Sequence, residues 1–595
     1  MRLKATDGSL PGLTPPQRRQ TAPTRQVVAA ALTLLVLGAI AAVQAGSSGA
    51  SFMRDLELAN PALASIEPEI GDPHTARLTR RTFLVIIDGL GLGRSYQLPY
   101  LDELRRRGLD LEAQSHYPTY SRPNYVSMLT GVPPSASGVR TNFHDTPVTL
   151  DSLMDRAKAA GLMVAYASDS ALIPSLFLRP SVASGPGHSE SVAASDGSEE
   201  IEHPPFDIDA IVDPLSVEAP RGLDAKLSSP FDDARFAPWP GGFAEAGTAL
   251  VAGHADLVVL LIGAVDAAGH GYGAESHEYR EAAEISDHAL ARVLARVDLT
   301  QDTIIVLADH GHTDPGGHGG TEPEVLSVPL ILAGAGIDVH GSAYDARLID
   351  VAPTIAALLG IPAPGHGLGR TLTELLELDP DARARRLAAD EVRLVRTRAV
   401  VATSEARGDA ELLEDRAVRL ALVAGGVVFA TLLAWLLIRR RVLKLDLRVL
   451  LVSVPTFFVV YYTLIGTLGQ RFSPSLVPAS GHIATALIKY GIAGTVVQVA
   501  ASLWALRHQG TLAQRLSAAN GIAWTGLMLT MIPAGILWAY FPAPYGNLPG
   551  PLRLVLIPAV EVAVACAALN VALTLAAELI VFAAHATRRD RPTLD

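Results

Sequence analysis

The chain has 595 residues, of which 49% are hydrophobic, and a formal net charge of −12. This length exceeds one ordinary domain, and the acidic balance argues against a nucleic-acid binder, which would carry a basic patch or stripe. The only cysteine, Cys566, lies in an apolar run, which excludes an intramolecular disulfide and a cysteine-rich zinc site. Any metal bound by the protein must therefore be held by Asp, Glu and His.

The N-terminal segment predicts a membrane anchor. Residues 1–26 are polar and basic, which indicates a cytoplasmic N-terminus, and residues 27–46 form an apolar run long enough to span a bilayer. The small residues Val43 and Ala45 also fit a signal-peptide cleavage site, so removal of this segment is the alternative. Both interpretations place the residues that follow outside the cytoplasm.

Residues 78–375 predict an α/β domain with a mostly parallel sheet between layers of helices, because short apolar runs rich in branched residues alternate with helical patterns. The predicted strands are 83–87, 163–167, 257–262, 303–308 and 328–333. Residues 184–245 are rich in Pro, Gly, Ser, Asp and Glu, and they are predicted to form an insertion or lid. Residues 380–417 carry dense mixed charge and predict a helical connector.

The last third of the chain predicts a bundle of five membrane-spanning helices. Within 418–585 the apolar runs lie near 418–438, 449–468, 482–506, 519–541 and 553–585. The segments 439–448 and 507–515 are basic, whereas the loops at 469–481 and 542–552 together contain a single basic residue, Arg471. With the N-terminus inside and six spans, every basic loop falls on the cytoplasmic side, as the positive-inside rule requires. We therefore expect an integral membrane protein whose α/β domain faces outward.

Side chains that can bind metals follow three of the predicted strands. They are Asp88 after the first strand, Asp266 and His270 after the strand at 257–262, and Asp309, His310 and His318 after the strand at 303–308. A single such residue after a strand is usually part of a turn or solvated. Because open α/β sheets bind ligands beyond the carboxyl ends of their strands, the coincidence at three ends favours a metal site. Asp oxygen and His nitrogen ligands suit zinc, and manganese is the alternative.

The segment PTYSRPNYVSMLTG at 118–131 makes the pattern specific. The order Asp-Gly, P-T-x-S-x-P-N, D-x-x-G-H, D-H-G and a late His resembles the alkaline phosphatase superfamily, and more narrowly its type I phosphodiesterase/nucleotide pyrophosphatase branch. The segment at 309–337 is similar to that of the glycosylphosphatidylinositol (GPI) ethanolamine-phosphate transferases, as is the plan of an anchor, an outward domain and a C-terminal bundle. The resemblance extends over residues 80–375 and is weak in the bundle.

The resemblance implies a role for each matching residue. Ser121 matches the nucleophile, and Asn142 matches a donor to a phosphate oxygen. One metal site would comprise Asp88, Ser121, Asp309 and His310, and the second would comprise Asp266, His270 and His318. The short spacing between Asp309 and His318 is like that of the ethanolamine-phosphate transferases, whereas the nucleotide pyrophosphatases place this histidine much later.

Other residues beside these motifs are expected to play smaller parts. We predict that Thr119 is a turn residue, and that Arg122 either is structural or solvated or contacts a phosphate. His312 is expected to support the metal ligands or to lie at the surface. For Asp169 and His144, a loop position is the favoured interpretation, and lining of the pocket is the alternative.

These observations predict a membrane-bound phosphoryl-transfer enzyme with two divalent metals, because a dication activates a serine hydroxyl and two metals can hold the attacking and leaving oxygens. We expect a phosphodiesterase or phosphoethanolamine-type phosphotransferase that acts on lipid- or glycan-linked phosphodiesters and forms a covalent intermediate at Ser121. The alternatives are a phosphomonoesterase, and a membrane transport or scaffold protein with a regulatory metal-binding outer domain. The Ala-, Arg- and Leu-rich composition favours a bacterial inner membrane with a periplasmic domain.

Overall fold

An α/β domain and a bundle of apolar helices make up the chain in the computed structural model, which describes residues 24–71, 75–180, 227–468, 473–476 and 483–589. The described strands are β1 (Arg81–Ile87), β2 (Gly108–Gln114), β3 (Val164–Ser168), β4 (Arg179–Pro180), β5 (Leu227–Ser228), β6 (Asp233–Phe236), β7 (Leu257–Ile262), β8 (Asp302–Leu307) and β9 (Ser327–Gly334). All five predicted strands are therefore present, each within two residues of its expected ends.

The described helices cover both faces of the sheet and form the bundle. They are α1 (Thr24–Asp55), α2 (Leu92–Ser95), α3 (Pro99–Arg106), α4 (Ser121–Thr130), α5 (Pro134–Ser137), α6 (Leu153–Ala159), α7 (Leu172–Leu176), α8 (Gly241–Val251), α9 (Ala264–Tyr272), α10 (His277–Val293), α11 (Pro323–Leu326), α12 (Val351–Leu358), α13 (Pro380–Glu414), α14 (Arg416–Arg439), α15 (Leu447–Leu468), α16 (Ile483–Leu506), α17 (Leu512–Tyr540) and α18 (Pro551–Arg589).

Seven strands form the main sheet in the order β2-β9-β8-β1-β7-β3-β6. The pairs from β8 through β6 are parallel, which confirms the predicted mostly parallel sheet. Strand β9 is the exception, because it runs antiparallel to both β8 and β2. Strands β7 and β8 are buried throughout, since helices cover both faces, and this is why their sequences are continuous apolar runs.

The sheet also takes in part of the segment predicted as an insertion or lid. Residues 181–226 of that region lie outside the described residues. Strand β6 falls within the predicted insertion, yet it pairs in parallel with β3 at the edge of the sheet, for example Ala234 with Tyr166. An edge strand is half-exposed and needs no apolar run, which explains why the sequence DARF gave no strand signal. Residues 233–236 therefore belong to the sheet rather than to an insertion.

Six of the described helices, α1 and α14 to α18, contain windows long and apolar enough to cross a membrane, which confirms the six predicted apolar spans. Helix α1 packs along α18, and a side chain at Gly38 would lie 3.0 Å from the Ala568 carbonyl oxygen. Such small residues allow close approach of helices in a bilayer. In the same bundle the buried carboxylate of Glu578 pairs with Arg515 at 2.5 Å.

The bundle and the α/β domain share one apolar cluster. It includes Phe52 and Met53 near the end of α1, Tyr120 from the α/β domain, and Phe457 and Tyr461 from α15. Tyr120 directly precedes α4, so the segment that was predicted to carry the nucleophile lies against the end of the bundle.

Candidate active site

The parallel strands β1, β7 and β8 bring the predicted metal ligands to one edge of the sheet. Asp88 follows β1, Asp266 lies in the first turn of α9 after β7, and Asp309 and His310 follow β8. Because these strands are parallel neighbours, their carboxyl ends lie side by side. Gly89 has a φ of 72°, and a Cβ there would lie 2.7 Å from the Asp266 Cα, so glycine permits this close approach.

The first group of possible metal ligands comprises Asp88, Asp309 and His310, whose ligand atoms lie within 4.8 Å of one another. All three are buried. His310 Nε2 lies 3.4 Å from Asp88 Oδ1 and 3.2 Å from Asp309 Oδ2. His310 Nδ1 lies 3.2 Å from the Gly311 carbonyl oxygen, which can only accept a hydrogen bond. When the ring is neutral, the proton therefore sits on Nδ1 and the Nε2 lone pair points at the carboxylates.

Ser121 lies beside this first group. It is the first residue of α4, and its buried hydroxyl Oγ is 3.4 Å from Asp88 Oδ1 and 3.3 Å from His310 Nε2. The N-terminal end of α4 is also the positive end of its helix dipole, which favours negative charge. The predicted nucleophile therefore meets the predicted ligands at the positive end of a helix.

The second group comprises Asp266, His270 and His318, again within 4.8 Å. Asp266 Oδ1 lies 3.5 Å from Nε2 of each histidine, and the two Nε2 atoms are 2.8 Å apart. The Thr119 carbonyl oxygen accepts a hydrogen bond from His318 Nδ1 at 2.6 Å, so the Nε2 of His318 is unprotonated when the ring is neutral. All six predicted ligands thus converge, and the stacked rings of His310 and His318, 3.7 Å apart, join the two groups.

The electrostatics of this region differ between the two groups. Burial raises the pKa of Asp88 well above its usual range, and the nearby carboxylates of Asp309 and Asp266 raise it further. Burial also opposes ionisation of Asp266, but the surrounding histidines outweigh it and hold the pKa of Asp266 well below its usual range. Burial lowers the pKa of His270 to about 4, and it lowers the pKa of His318 as well. Neutral imidazole is the form that binds metals.

The donor set fits divalent cations. Asp309 Oδ2 and His270 Nδ1 are buried and have no hydrogen-bond partner in the part of the chain that the structure describes. The Nε2 lone pair of His310 faces carboxylate oxygens that have no proton to offer when ionised, an arrangement that is repulsive unless a cation lies between the atoms. Three carboxylates and three imidazoles in one buried place supply the oxygen and nitrogen ligands that zinc and manganese take.

Asn142 contacts the residue that follows Ser121. Its Oδ1 accepts a hydrogen bond from the backbone N of Arg122 at 3.0 Å. This contact fixes the orientation of the amide, so that the Nδ2 group remains to donate elsewhere. The guanidinium of Arg122 donates to the His144 carbonyl oxygen, which gives Arg122 a structural contact, as one of the two predicted interpretations expected.

Several residues that support the site received little weight from the sequence. The Tyr125 hydroxyl donates to Asp88 Oδ2, and the Tyr279 hydroxyl donates to the Gly89 carbonyl oxygen at 2.7 Å. Thr119 Oγ1 accepts a hydrogen bond from Gly319 N at 2.7 Å, so it contacts the segment that holds His318. Tyr125 follows Ser121 by one helical turn, and this spacing is the signal that could have identified it.

His312 is buried, which excludes the surface position that was one of its predicted interpretations. Its Nε2 lies 2.9 Å from Asp266 Oδ1, and its Nδ1 accepts a hydrogen bond from Gly317 N at 3.2 Å. These contacts mean that His312 donates to Asp266 and orients it. Asp266, His310 and His312 also form a third possible ligand group within 4.8 Å.

Comparison with known proteins agrees with the motif order. Residues 82–318 match the family described as type I phosphodiesterase / nucleotide pyrophosphatase. The match contains Ser121, Asn142 and all six converging ligands.

Two curated relatives have related activities by name. GPI ethanolamine phosphate transferase 1 of Aspergillus fumigatus is 25% identical over 299 residues, which cover 46% of this chain and 26% of the transferase. The 2,3-bisphosphoglycerate-independent phosphoglycerate mutase of Rippkaea orientalis is 34% identical over 134 residues, which cover 21% of this chain and 25% of the mutase. The chain thus matches 26% and 25% of the length of these two relatives.

Two solved structures show similarity to part of the chain. The alkaline phosphatase PafA has 12% identity and a TM-score of 0.36, and the match covers 51% of this chain and all of that protein. Murine ectonucleotide pyrophosphatase / phosphodiesterase 5 has 12% identity and a TM-score of 0.34, with 48% of this chain and 96% of that protein covered. In sequence and in the order of their motifs, residues 82–318 are therefore similar to the type I phosphodiesterase / nucleotide pyrophosphatase family.

Proposed function

We propose that the protein is a membrane-bound, metal-dependent phosphoryl-transfer enzyme in which Ser121 is the nucleophile. The observation that carries this proposal is the position of the Ser121 hydroxyl, 3.3 Å from His310 Nε2 and 3.4 Å from Asp88 Oδ1. A serine in a structural role has no need of such neighbours, whereas a serine nucleophile requires groups that stabilise its ionised form.

The residues present would hold two divalent cations. Asp88, Ser121, Asp309 and His310 would hold one, and Asp266, His270 and His318 would hold the other. Zinc is the metal that best suits this mixture of carboxylate and imidazole ligands, and manganese is the alternative. When bound, the cations would supply electrostatic stabilisation of negative charge on the attacking and leaving oxygens.

The chain's own groups would bind and orient the phosphate. Ser121 Oγ attacks phosphorus in line with the leaving alcohol, so that one phosphorus–oxygen bond forms while the other breaks. The hydroxyl proton passes to solvent, and the departing alkoxide takes up a proton. Asn142 donates its amide to a phosphate oxygen, and the positive end of the α4 helix dipole favours the same negative charge. Water or a second alcohol then removes the phosphoryl group from Ser121.

We propose a phosphodiester as the substrate, with a lipid or glycolipid head group as the favoured class. Tyr120, the residue before Ser121, lies in the apolar cluster at the end of the bundle, so the site lies close to the expected membrane surface. The relative named GPI ethanolamine phosphate transferase 1 supports a phosphoethanolamine-type transfer, and a hydrolase would share the first half of that reaction. The enzymatic alternative is a phosphomonoesterase.

The proposed location is a bacterial inner membrane, with the α/β domain on the periplasmic side. The basic segments between the apolar helices support this orientation, because positive charge is retained in the cytoplasm. The competing hypothesis, a transport or scaffold protein with a regulatory outer domain, predicts bound metal without chemical turnover.

The test uses the full-length protein purified in detergent. The metal content of wild type and Ser121→Ala is measured, and both are incubated with lipid head-group diesters and with aryl phosphate monoesters. We expect both proteins to bind metal and only the wild type to turn over diesters. Ser127→Ala is the matched control, because Ser127 lies in the same helix and its hydroxyl only contacts the Pro123 carbonyl oxygen. Equal rates for wild type and Ser121→Ala would reject the enzyme proposal.

A further inference from the structure

The loop that carries Asn142 is held by the membrane-associated parts of the chain. Arg140 is only 1% exposed, and no carboxylate lies within ion-pair distance of its guanidinium among the described residues. Instead, its Nη1 donates to the carbonyl oxygens of Leu56, at 3.1 Å, and Tyr545, at 2.8 Å. Its Nη2 donates to the Gly546 carbonyl oxygen at 2.8 Å. Arg140 therefore joins the end of the N-terminal helix to the loop between α17 and α18.

Glu57 holds the same loop from the side of α1, which ends two residues earlier at Asp55. Its carboxylate accepts hydrogen bonds from the backbone N of Arg140 at 3.2 Å and from Thr141 Oγ1 at 2.6 Å. It also lies 3.1 Å from His144 Nδ1. One carboxylate thus contacts residues on both sides of Asn142.

The contacts continue from this loop to the nucleophile segment. Asn142 accepts from the backbone N of Arg122, which is the residue after Ser121, and the Arg122 guanidinium donates to the His144 carbonyl oxygen. From the other direction, the Tyr117 hydroxyl donates to the Pro549 carbonyl oxygen in the α17–α18 loop at 2.8 Å. The amide of Asn142 therefore depends for its position on elements outside the α/β domain.

We infer that Glu57 and Arg140 are positioning residues that fix the Asn142 amide beside Ser121, so that the N-terminal helix and the α17–α18 loop are working parts of the phosphate site. This inference rests on the proposed function, because it assigns Asn142 to phosphate binding.

Glu57 offers the sharper test, because loss of Arg140 would remove the guanidinium donor from three carbonyl oxygens, two of them in buried residues, and could disrupt the local fold. The full-length protein is prepared as wild type, Glu57→Ala, Asn142→Ala and the double variant. We expect kcat/KM for a phosphodiester to fall by at least tenfold in each single variant. In the double variant we expect no further loss beyond about twofold, because residues that act through one another are not additive.

Binding of inorganic phosphate gives a readout that does not require turnover. If Glu57 acts through Asn142, the inhibition constant of phosphate rises to a similar extent in both single variants and in the double variant. Glu57→Gln keeps one acceptor oxygen and should recover part of the loss, which also covers the case in which Glu57→Ala folds poorly. Glu69→Ala is the matched control, because Glu69 lies in the same linker but pairs with Arg396 on α13.

Multiplicative losses from Glu57→Ala and Asn142→Ala would overturn the inference, as would unchanged kinetics in either single variant. The Ser121→Ala variant separates failure of the positioning inference from failure of the proposed function. If that variant is inactive while the losses multiply, only the positioning inference fails. If it is as active as the wild type, the proposed function fails and the inference fails with it.

Discussion

His312 Nε2 donates to Asp266 Oδ1 at 2.9 Å while the backbone of Gly317 holds its other ring nitrogen. A partner that orients a metal ligand commonly contributes 10–100-fold to metal affinity or activity. We expect His312→Leu to lower metal affinity by about that factor, measured by competition with a chelating dye. The exposed His288 on α10 supplies the control, and His288→Leu should bind metal as the wild type does. Unchanged affinity in His312→Leu would mean that Asp266 needs no such support.

Gly269 allows this histidine to approach α9. A Cβ at Gly269 would lie 2.5 Å from His312 Cδ2 and Nε2, so Gly269→Ala must displace the imidazole. Alanine is also the better helix former by about 1 kcal/mol, so the helix itself should not weaken. We expect lower activity and lower metal affinity, because overpacking against this buried imidazole costs about 1–3 kcal/mol, more than the helix gains. Gly93→Ala has open space around its Cβ and should leave both properties unchanged.

Tyr125 stabilises the ionised form of Asp88. Its hydroxyl donates to Asp88 Oδ2 and so opposes the rise in the pKa of Asp88 that burial and the neighbouring carboxylates cause. A hydrogen bond to a charged group contributes about 1.5–3 kcal/mol, so Tyr125→Phe should weaken metal binding by about one to two orders of magnitude. Isothermal titration with zinc measures this change. Tyr166→Phe provides the comparison, because that buried hydroxyl donates to the Ser170 carbonyl oxygen, and near-normal zinc affinity is expected.

The buried imidazole of His116 should make the stability of the protein depend on pH. Burial, with a smaller effect from Arg347, lowers its pKa from 6.5 to about 4 in the folded protein. Between these values the unfolded chain binds more protons, so the free energy of unfolding falls as the pH is lowered from about 6.5 to about 4. The contribution is at most about 1.4 kcal/mol per pH unit and ceases below pH 4. Chemical denaturation at several pH values should show that the free energy of unfolding falls less steeply with decreasing pH in His116→Asn than in the wild type. The same pH dependence in both proteins would refute the assignment to His116.

Gly38 tests the packing of α1 on α18. A larger side chain there would meet the Ala568 carbonyl oxygen at 3.0 Å and Val571 Cγ1 at 3.2 Å. We expect Gly38→Leu to cost about 1–3 kcal/mol through overpacking and to lower the melting temperature in detergent. Gly46→Leu, on the same helix with nothing within 4 Å of its Cβ, should melt as the wild type does. Equal melting temperatures would mean that the two helices are not in contact in the detergent-solubilised protein.

The ligand set could be predicted from the sequence because each ligand lies in a short segment directly after a strand. Parallel strands then bring distant segments such as those of Asp88 and Asp309 together, and the sheet order supplies this without any further signal. The direction of β9 could not be predicted in this way. A buried apolar run looks the same whether the strand is parallel or antiparallel to its neighbour.

The contacts that hold the loop around Asn142 were harder to predict. Glu57 and Arg140 lie outside any motif, and their partners depend on how the bundle meets the α/β domain. An isolated glutamate after an apolar helix is most often solvated, so its sequence gives no reason to assign it a role. The same holds for Tyr545, whose backbone carbonyl, rather than its side chain, contacts Arg140.

The pairing of α1 with α18 has a consequence for biogenesis. Ser48 of α1 donates to Glu561 of α18, although the two residues are 513 positions apart. During synthesis the first of these helices enters the bilayer long before the ribosome has made its partner. The α17–α18 loop, whose carbonyl oxygens accept hydrogen bonds from Arg140, is also translated late. A nascent chain that has completed its α/β domain therefore still lacks these contacts, and α1 can acquire them only after α18 has been made.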